Sequence, residues 1–335
     1  MANFSEQIRL YEPRRRPPRI TAIGGGHGLS AMLSGLKAYT KDITAIVTVA
    51  DDGGGSGMLR EDLGMLPPGD IRNCIMALAN TEPTMQQLLD YRFTEGSLAG
   101  QSFGNLFLAA MNGISGSFDE AVHRMGDVLA ITGRVLPVTN QDVHLEAEFH
   151  DGSRVLGESK IFYAKKINNS RIRKVRLVPE RPAALEESVD AIRSADIIVI
   201  GPGSLYTSII PNFLVDGICE AIRASGAVRE YILNIMMQDG ETDGYTGEDH
   251  VRALLEHAGG GVIDVCIANN APVPEKWLAP YRQEGVGQIE LDREKIEALG
   301  VALREFPLCL PGRYIRHDPD ALSRAILSVW NEFEA

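Results

Sequence analysis

Two glycine-rich segments carry the residues best suited to holding a phosphate. The first glycine loop, residues 24–30, has the sequence GGGHGLS, and the second glycine loop, residues 201–208, has the sequence GPGSLYTS. Glycine permits positive φ angles and lets backbone N–H groups approach an anion at the start of a helix. We therefore predict ligand contacts in these two loops at Gly25, Gly26, His27, Gly28, Gly201, Gly203, Ser204 and Thr207.

The first glycine loop also has other interpretations. It departs from the dinucleotide fingerprint G-x-G-x-x-G because Leu29 occupies the last glycine position, and it lacks the lysine of a P-loop. A plain tight turn is the alternative to phosphate binding, and His27 could stabilise that turn instead of contacting a ligand. The departure from the fingerprint disfavours a dinucleotide-dependent dehydrogenase.

Three aspartates form a second group of candidate residues. Asp51 and Asp52 begin the acidic loop, residues 51–57, with the sequence DDGGGSG. Mg²⁺ usually takes one or two protein carboxylates together with phosphate and water, so carboxylates beside a phosphate site suit that ion. Asp70 is either a third carboxylate of the site or a helix cap. We predict Mg²⁺ at Asp52 and Asp70, which are also the candidate catalytic residues; the alternative is an Asp-Gly turn with solvated acids.

Polar residues beside these aspartates complete the candidate site. Gly53 follows Asp52 directly, and Arg72 and Asn73 lie in the first turn of the helix predicted after Asp70. We expect Gly53, Arg72 and Asn73, together with Asp51 and Asp52, to contact the ligand, since Arg and Asn side chains can bind an anion or a polar head group.

Other polar groups have simpler structural explanations. The segment 241–249 ends in TGED, which predicts a capping box, and we interpret its acids as structural. One face of a predicted strand carries His144, Glu146, Glu148 and His150. A polar surface that protects an exposed strand explains this face better than a metal site does.

Apolar strands must bring the candidate loops together. Each of five unusual loops follows one apolar, strand-like segment; the loops are residues 24–30, 51–57, 201–208, 238–245 and 269–271. Because the carboxyl ends of parallel strands lie along one edge of a sheet, we expect the loops to converge on one crevice. Helical periodicity between these strands predicts a doubly wound, mostly parallel α/β sheet with right-handed crossovers.

The chain is predicted to form a short arm and one large domain. Residues 1–18 are rich in charge and proline, which predicts a flexible arm. Residues 19–335 are predicted to form a single α/β domain. Within it, the hydrophobic period switches to two over about residues 133–178, which predicts a small β-rich insertion. We also expect a helix near residues 211–224 and a strand at residues 231–236.

Composition excludes several classes of protein. The chain has 335 residues, with 33 Lys and Arg against 45 Asp and Glu, and a net charge of −12. Such an acid excess repels nucleic acid polymers, which bind through cationic side chains. The four cysteines are far apart, as is typical of a reducing cytoplasm. No run of about 18 apolar residues is present, so we expect no membrane span and no export.

Six ordered motifs identify a resemblance to a known family. From about Arg19 onward, the chain resembles the bacterial gluconeogenesis factor family, which is related to 2-phospho-L-lactate transferase, the CofD enzyme of coenzyme F420 synthesis. The motifs are GGGHGLS (24–30), TVADDGGGSG (48–57), LPPGDIRN (66–73), GPGSLYTSIIPN (201–212), ETDGY (241–245) and YIRHDPDAL (314–322). The resemblance implies a Rossmann-like α/β fold.

The resemblance has two implications for function. The transferase branch transfers a phospholactyl group with Mg²⁺, using acids that would align with Asp52 and Asp70. Members closer to this chain are regarded as cytoplasmic proteins that bind UDP-sugars and are needed for growth and cell shape on gluconeogenic carbon sources. Their nucleotide-sugar contacts would fall at Tyr281 and Arg316. The usual DDGGSSG is DDGGGSG here, which removes one serine hydroxyl at Gly55.

The preferred hypothesis is therefore a regulatory protein that binds a UDP-sugar such as UDP-N-acetylglucosamine (UDP-GlcNAc). It would hold no tightly bound redox cofactor, would be homo-oligomeric, and would influence cell-wall precursor synthesis through protein partners. The alternative is a Mg²⁺-dependent phosphotransferase similar to 2-phospho-L-lactate transferase. Whether a reaction is catalysed is left open by the sequence.

Overall fold

The computed structural model describes residues 16–168, 170–283, 285–310, 312 and 314–333. Most of the predicted arm, residues 1–18, lies outside these described residues. At the described end of the arm, Arg16 donates two hydrogen bonds of 2.9 Å to the carboxylate of Asp196. This ion pair attaches the chain to the domain just before the first strand.

The described residues include twelve strands and fourteen α-helices. The strands are β1 (Ile20–Gly24), β2 (Ile43–Val47), β3 (Arg134–Pro137), β4 (His144–Phe149), β5 (Arg154–Leu156), β6 (Ile172–Val178), β7 (Ile197–Ile200), β8 (Val228–Ile232), β9 (Val265–Asn269), β10 (Ala302–Phe306), β11 (Cys309–Leu310) and β12 (Arg316–His317). The helices are α1 (Gly26–Leu36), α2 (Gly54–Leu63), α3 (Gly69–Leu78), α4 (Pro83–Asp90), α5 (Phe103–Gly113), α6 (Phe118–Val128), α7 (Glu158–Asn168), α8 (Glu186–Ser194), α9 (Ile210–Phe213), α10 (Ile218–Ala224), α11 (Gly247–Ala258), α12 (Glu275–Gln283), α13 (Arg293–Ala298) and α14 (Pro319–Phe333).

A seven-stranded sheet forms the centre of the domain, in the order β10-β9-β8-β7-β1-β2-β3. Every pairing in it is parallel. The residues of β1 and β2 are buried throughout, because a parallel sheet carries helices on its faces. The predicted Rossmann-like α/β class is therefore confirmed.

The strand order reverses between β1 and β7. The chain proceeds from β1 to β2 and β3 on one side, then returns to pair β7 with the other side of β1. Open α/β sheets bind ligands at this kind of switch point, outside the carboxyl ends of the strands. Both glycine loops begin here, since the first leaves β1 and the second leaves β7.

A three-stranded antiparallel sheet, in the order β5-β4-β6, lies within the predicted insertion. Glu146 pairs with Arg176, and Glu148 pairs with Arg154 and Arg173. These ion pairs explain the polar face of β4. Two further elements fall in the range 133–178: α7, and β3, which belongs to the central sheet beside β2.

Two predicted elements have different bounds in the structure. The strand expected at 231–236 is β8, which begins at Val228. The start was missed because Arg229 and Glu230 are charged and do not resemble a buried strand in the sequence, although Glu230 is fully buried. The helix expected near 211–224 is divided into α9 and α10. The division occurs at Gly217, whose φ of +93° is incompatible with a helix.

A small lobe completes the edge of the domain near β8. A second apolar cluster contains Ile235, Met236, Val273 and Ile315, with Tyr281 of α12 packed against it. The lobe supports the short hairpin of β11 and β12. No helix in the described part of the chain is both long enough and apolar enough to cross a membrane.

Candidate functional site

A cleft of 440 Å³ opens at the switch point between β1 and β7. Residues from loops that follow β1, β2, β7 and β8 meet there with residues of α7 and of the segment around β12. The lining residues are Gly26, His27, Gly28, Ala31, Met32, Asp51, Asp70, Glu158, Pro202, Gly203, Ser204, Ser208, Asn234, Ile235, Met236, Gln238, Ile315, Arg316, His317, Pro319 and Leu322.

The two glycine loops contact each other through their backbones. A Cβ atom at Gly28 would lie 2.7 Å from the carbonyl oxygen of Pro202, and one at Gly203 would lie 3.1 Å from the carbonyl oxygen of Gly25. Gly26 has a φ of +70° and is the first residue of α1. The N-terminus of α1 therefore faces the cleft without side chains at Gly26 and Gly28.

His27 lies in a positive environment. Desolvation and the nearby guanidinium groups of Arg316 and Arg72 lower the pKa of the His27 imidazole. At neutral pH this imidazole is consequently uncharged. Of the two arginines, Arg316 lines the cleft. This end of the cleft thus combines backbone N–H groups with one cationic side chain, which suits an anion.

Residues of the second glycine loop are held from the loop after β8. Ser204 donates a hydrogen bond of 2.8 Å to Gln238, and the Asn234 side chain donates one of 2.7 Å to the carbonyl oxygen of Gly203. Gly201 has a φ of +79°, and its N–H already donates a hydrogen bond of 2.8 Å to the carbonyl oxygen of Ile23. Gly203 and Ser204 line the cleft.

An inner compartment of 210 Å³ continues from the cleft beneath α7. It shares Asp51, Glu158, Ser204 and Gln238 with the cleft, which makes the two spaces adjacent. Its other lining residues are Gly53, Ser159, Ile161, Phe162, Thr207, Gly240 and Glu241. The predicted contact residues Gly53 and Thr207 therefore lie in the inner compartment.

Carboxylates surround the junction of the two spaces. Burial and the charge of Asp51 raise the pKa of Asp70 to about 7, although the Gly26 N–H and Arg72 oppose that rise. Burial also raises the pKa of Asp51. Burial, followed by the charges of Asp51 and Asp70, raises the pKa of Glu158 well above its usual value. These acids repel one another, so a cation or a proton at this junction is favoured.

Asp52 has a different position from Asp51. The Ser159 N–H donates a hydrogen bond of 2.8 Å to Asp52, so this carboxylate caps the N-terminus of α7. The acidic loop therefore attaches the inserted helix to the edge of the central sheet. Asp51 lines both spaces instead, and its carboxylate accepts a hydrogen bond of 2.8 Å from the Gly53 N–H.

Arg72 and Asn73 interact with each other. Arg72 donates a hydrogen bond of 2.7 Å to the Asn73 side chain and lies 3.9 Å from a carboxylate oxygen of Asp90. Neither side chain is among the residues that line the cleft. Gly25 also lies beneath the cleft, where a Cβ atom would approach the Asp70 carboxylate to 2.6 Å.

Tyr281 supports the segment that carries Arg316. The Tyr281 hydroxyl accepts a hydrogen bond of 2.8 Å from the Ile315 N–H, and its ring packs in the apolar lobe. Next to Arg316, half-buried His317 donates from Nε2 to the Leu233 carbonyl oxygen at 3.1 Å, and desolvation lowers the pKa of its imidazole to about 4. Arg316 thus lies on a segment fixed from both sides.

Sequence reasoning missed several residues that line these spaces. Asn234 lies within the strand expected at 231–236 and Gln238 begins one of the loops expected at the crevice, but their amides gave no distinctive signal. Glu158 belongs to the insertion, and only the folded chain brings that helix to the switch point. Glu241, interpreted from sequence as structural, is 4% exposed and lines the inner compartment.

The carboxylates of the junction form only part of a metal site. Across the described ranges, no three or more His, Cys, Asp or Glu side chains are arranged to hold a metal ion by themselves. Asp51 and Asp70 both line the cleft, and two carboxylates suit Mg²⁺ when phosphate oxygens and waters complete its coordination. The donor set therefore fits Mg²⁺ that arrives with a phosphate ligand.

These features define the class of protein. It is an α/β protein of the Rossmann-like type whose crevice lies between two glycine loops at the switch point of a parallel sheet. The family described as 2-phospho-L-lactate transferase CofD matches residues 20–309. The chain belongs to this family, which confirms the resemblance inferred from the six motifs.

Similar proteins extend over nearly the whole chain. A putative gluconeogenesis factor from Thermoanaerobacterium thermosulfurigenes is 53% identical over 93% of this chain and 97% of its own length. A gluconeogenesis factor from Bacillus subtilis is 45% identical over 94% of this chain and 99% of its own. The crystal structure of a UPF0052 family member from Bacillus halodurans has a TM-score of 0.89 and 45% identity, covering 94% of this chain and 100% of that one.

Proposed function

We propose that this protein binds a nucleotide sugar, such as UDP-GlcNAc, in the cleft. The binding would serve regulation: the protein would be needed for cell shape and for control of cell-wall precursors during growth on gluconeogenic carbon sources. Support for the physiological setting comes from relatives that are named gluconeogenesis factors. Support for the ligand class comes from the chemistry of the cleft.

One observation carries the ligand proposal. Two glycine loops in backbone contact bring the start of α1 to the switch point, and Arg316 adds a positive charge to the lining of the same cleft. The diphosphate would bind at this end, where N–H groups and the guanidinium neutralise it. Such an arrangement explains how a chain with a net charge of −12 can bind an anion.

Thermal unfolding with nucleotides and nucleotide sugars tests this proposal. A ligand present at about 100 times its Kd stabilises the native state by about 2.7 kcal/mol, so UDP and UDP-GlcNAc should both raise the Tm. Arg316→Ala should weaken UDP binding about tenfold or more, because it removes a charge-assisted contact. Arg324→Ala on α14, which pairs with Asp320 outside the cleft, is the control. Unchanged UDP affinity in Arg316→Ala would refute this placement of the diphosphate.

The regulatory role requires a test in cells. A strain that lacks the protein should lose its normal shape on a gluconeogenic carbon source and regain it with the wild-type gene. Arg316→Ala should fail to restore the shape if ligand binding is needed for regulation. Restoration by a variant that binds no nucleotide sugar would separate the cellular role from the cleft. Pull-down of cell-wall synthesis enzymes and measurement of the oligomeric state test the expected partners.

A Mg²⁺-dependent phosphotransferase is the second candidate function. It is favoured by Asp51 and Asp70, which both line the cleft beside the glycine loops. Burial raises the pKa of both carboxyl groups, and the charge of Asp51 adds to the rise at Asp70. These two residues would hold Mg²⁺, which would neutralise phosphate charge in the reaction. Asp52, the other predicted ligand of the ion, would act through α7. Binding of nucleotides with no product after long incubation with Mg²⁺ would eliminate this candidate for those ligands.

A further inference from the structure

Glu241 is a buried carboxylate with one oxygen satisfied and the other free. Its Oε1 accepts hydrogen bonds from the N–H groups of Tyr206 and Thr207, at 2.5 and 3.1 Å. Its Oε2 is buried and has no hydrogen-bond partner among the described residues. A buried polar atom without a partner is costly, and native proteins rarely retain one without a reason. The free oxygen of Glu241 therefore marks a position where a donor group is favoured.

The surroundings of Glu241 specify the kind of donor. Asp51 and Glu158 line the same compartment. Its lining consists of residues that the structure describes, and none of them is Lys, Arg or His. Phosphate is repelled from such a space, whereas hydroxyl and amide groups can donate to its carboxylates. The ring of Phe162 packs over Gly240 and offers an apolar wall next to these acids.

We propose that the inner compartment binds the sugar of the nucleotide sugar, with Glu241 Oε2 accepting a hydrogen bond from a hydroxyl or amide group. This inference rests on the proposed function, since the diphosphate must occupy the neighbouring cleft. Ser204 and Gln238 line both spaces and lie where the two parts of the ligand would meet. Glu241 is then a specificity-determining residue that recognises the sugar and leaves the nucleotide to the glycine loops.

Calorimetric titration of the full chain with UDP and with UDP-GlcNAc tests this assignment. Glu241→Gln keeps an oxygen for the Tyr206 and Thr207 N–H groups but replaces the free carboxylate oxygen with a donor. It should weaken UDP-GlcNAc binding about 10- to 100-fold and leave UDP binding within about twofold. Glu230→Gln is the matched control, because Glu230 is also fully buried with unpartnered oxygens but lies in β8 and does not line either space.

A second variant protects the test against a folding defect. Phe162→Ala removes the apolar wall from a partly exposed position and should weaken UDP-GlcNAc binding several-fold without affecting UDP binding. Ile167→Ala, at an exposed position of the same helix, is its control. Equal weakening of UDP and UDP-GlcNAc by Glu241→Gln, or no weakening of either, would overturn the inference while leaving the nucleotide site intact. Failure of the wild-type protein to bind either nucleotide would instead reject the proposed function, and the inference with it.

Discussion

The cleft and the inner compartment differ in charge although they share the second glycine loop, because only the cleft is lined by an arginine. At the cleft, Gly203 meets the first glycine loop and Arg316 supplies a positive charge. In the inner compartment, the N–H groups of Tyr206 and Thr207 from that same loop already bind Glu241. One loop therefore offers an anion site on one side and has a carboxylate of the protein on the other.

Glycine content alone therefore does not define a phosphate site. A glycine-rich loop makes N–H groups available, but a nearby carboxylate can occupy them first. Here Glu241 prevents phosphate from binding at Tyr206 and Thr207, because like charges in a poorly solvated space repel strongly. Under the proposed function, charge would orient the ligand, with its anionic part at the cleft and its uncharged part in the inner compartment.

The largest expected effect concerns the acidic side of the junction. The pKa of Asp70 is about 7 in the folded protein, well above the ordinary value of 3.8. Protonated Asp70 therefore contributes to the free energy of unfolding at low pH, and this contribution is lost as the pH rises through 7. Asp70→Asn should therefore reduce the pH dependence of the free energy of unfolding between pH 5 and 8, by about 2–3 kcal/mol. Urea unfolding at both pH values measures this change.

Asp62→Asn, at an exposed position of α2, is the control for that experiment. Asp70→Asn should also tighten UDP binding at pH 8, since one negative charge beside the phosphate is removed. If the free energy of unfolding of wild type and of Asp70→Asn had the same pH dependence, the buried acids of the junction would not affect stability as described. The difference between the cleft and the inner compartment would then be weaker.

A smaller effect is expected at the contact between the glycine loops. The Cβ atom of Gly28→Ala would meet the Pro202 carbonyl oxygen at 2.7 Å and the Pro202 carbonyl carbon at 3.0 Å, so the loops must separate. We expect a loss of about 1–3 kcal/mol in the free energy of unfolding, together with weaker UDP binding. Gly113→Ala at the end of α5, where a Cβ atom would meet nothing within 4 Å, should show neither loss. Retention of wild-type affinity in Gly28→Ala would indicate that the loop contact is dispensable for the anion.

The smallest effect is expected at Tyr281. Tyr281→Phe removes the acceptor of the Ile315 N–H but keeps the ring in the apolar lobe. The free energy of unfolding should fall by about 1 kcal/mol. The affinity for UDP should fall by up to about fivefold, because the position of Arg316 would be held less firmly. Equilibrium unfolding and calorimetry measure both quantities, and Tyr163→Phe on the exposed face of α7 serves as the control. A loss as large as that of Arg316→Ala would mean that Tyr281 contacts the ligand directly.

Much of the cleft followed from the order of strands and loops. Gly26, Gly28 and Gly203 could be expected at one edge because each follows a parallel strand, and the switch point lies where such strands diverge. The acidic loop was expected there for the same reason. Its two aspartates could not be distinguished in sequence, because only the position of α7 makes Asp52 a helix cap and leaves Asp51 at the cleft.

The inserted helix explains most of what sequence reasoning missed. Glu158 and Phe162 lie more than a hundred residues from the first glycine loop, and helical periodicity gives no information about where an insertion packs. Likewise, Glu241 resembles the other acids of its loop in the sequence. Its burial, and the two N–H groups that bind it, arise from the packing of that loop against the second glycine loop.

Local pattern and ordered motifs were enough to predict the alternation of apolar strands and helices, the loops at the strand ends and the family. Which groups share a space could be seen only in the folded chain. Charge repulsion, burial and the use of backbone N–H groups depend on distances of a few ångströms between segments far apart in the chain. Those distances give the cleft an arginine, Arg316, and leave the inner compartment at Glu241 with carboxylates and no arginine.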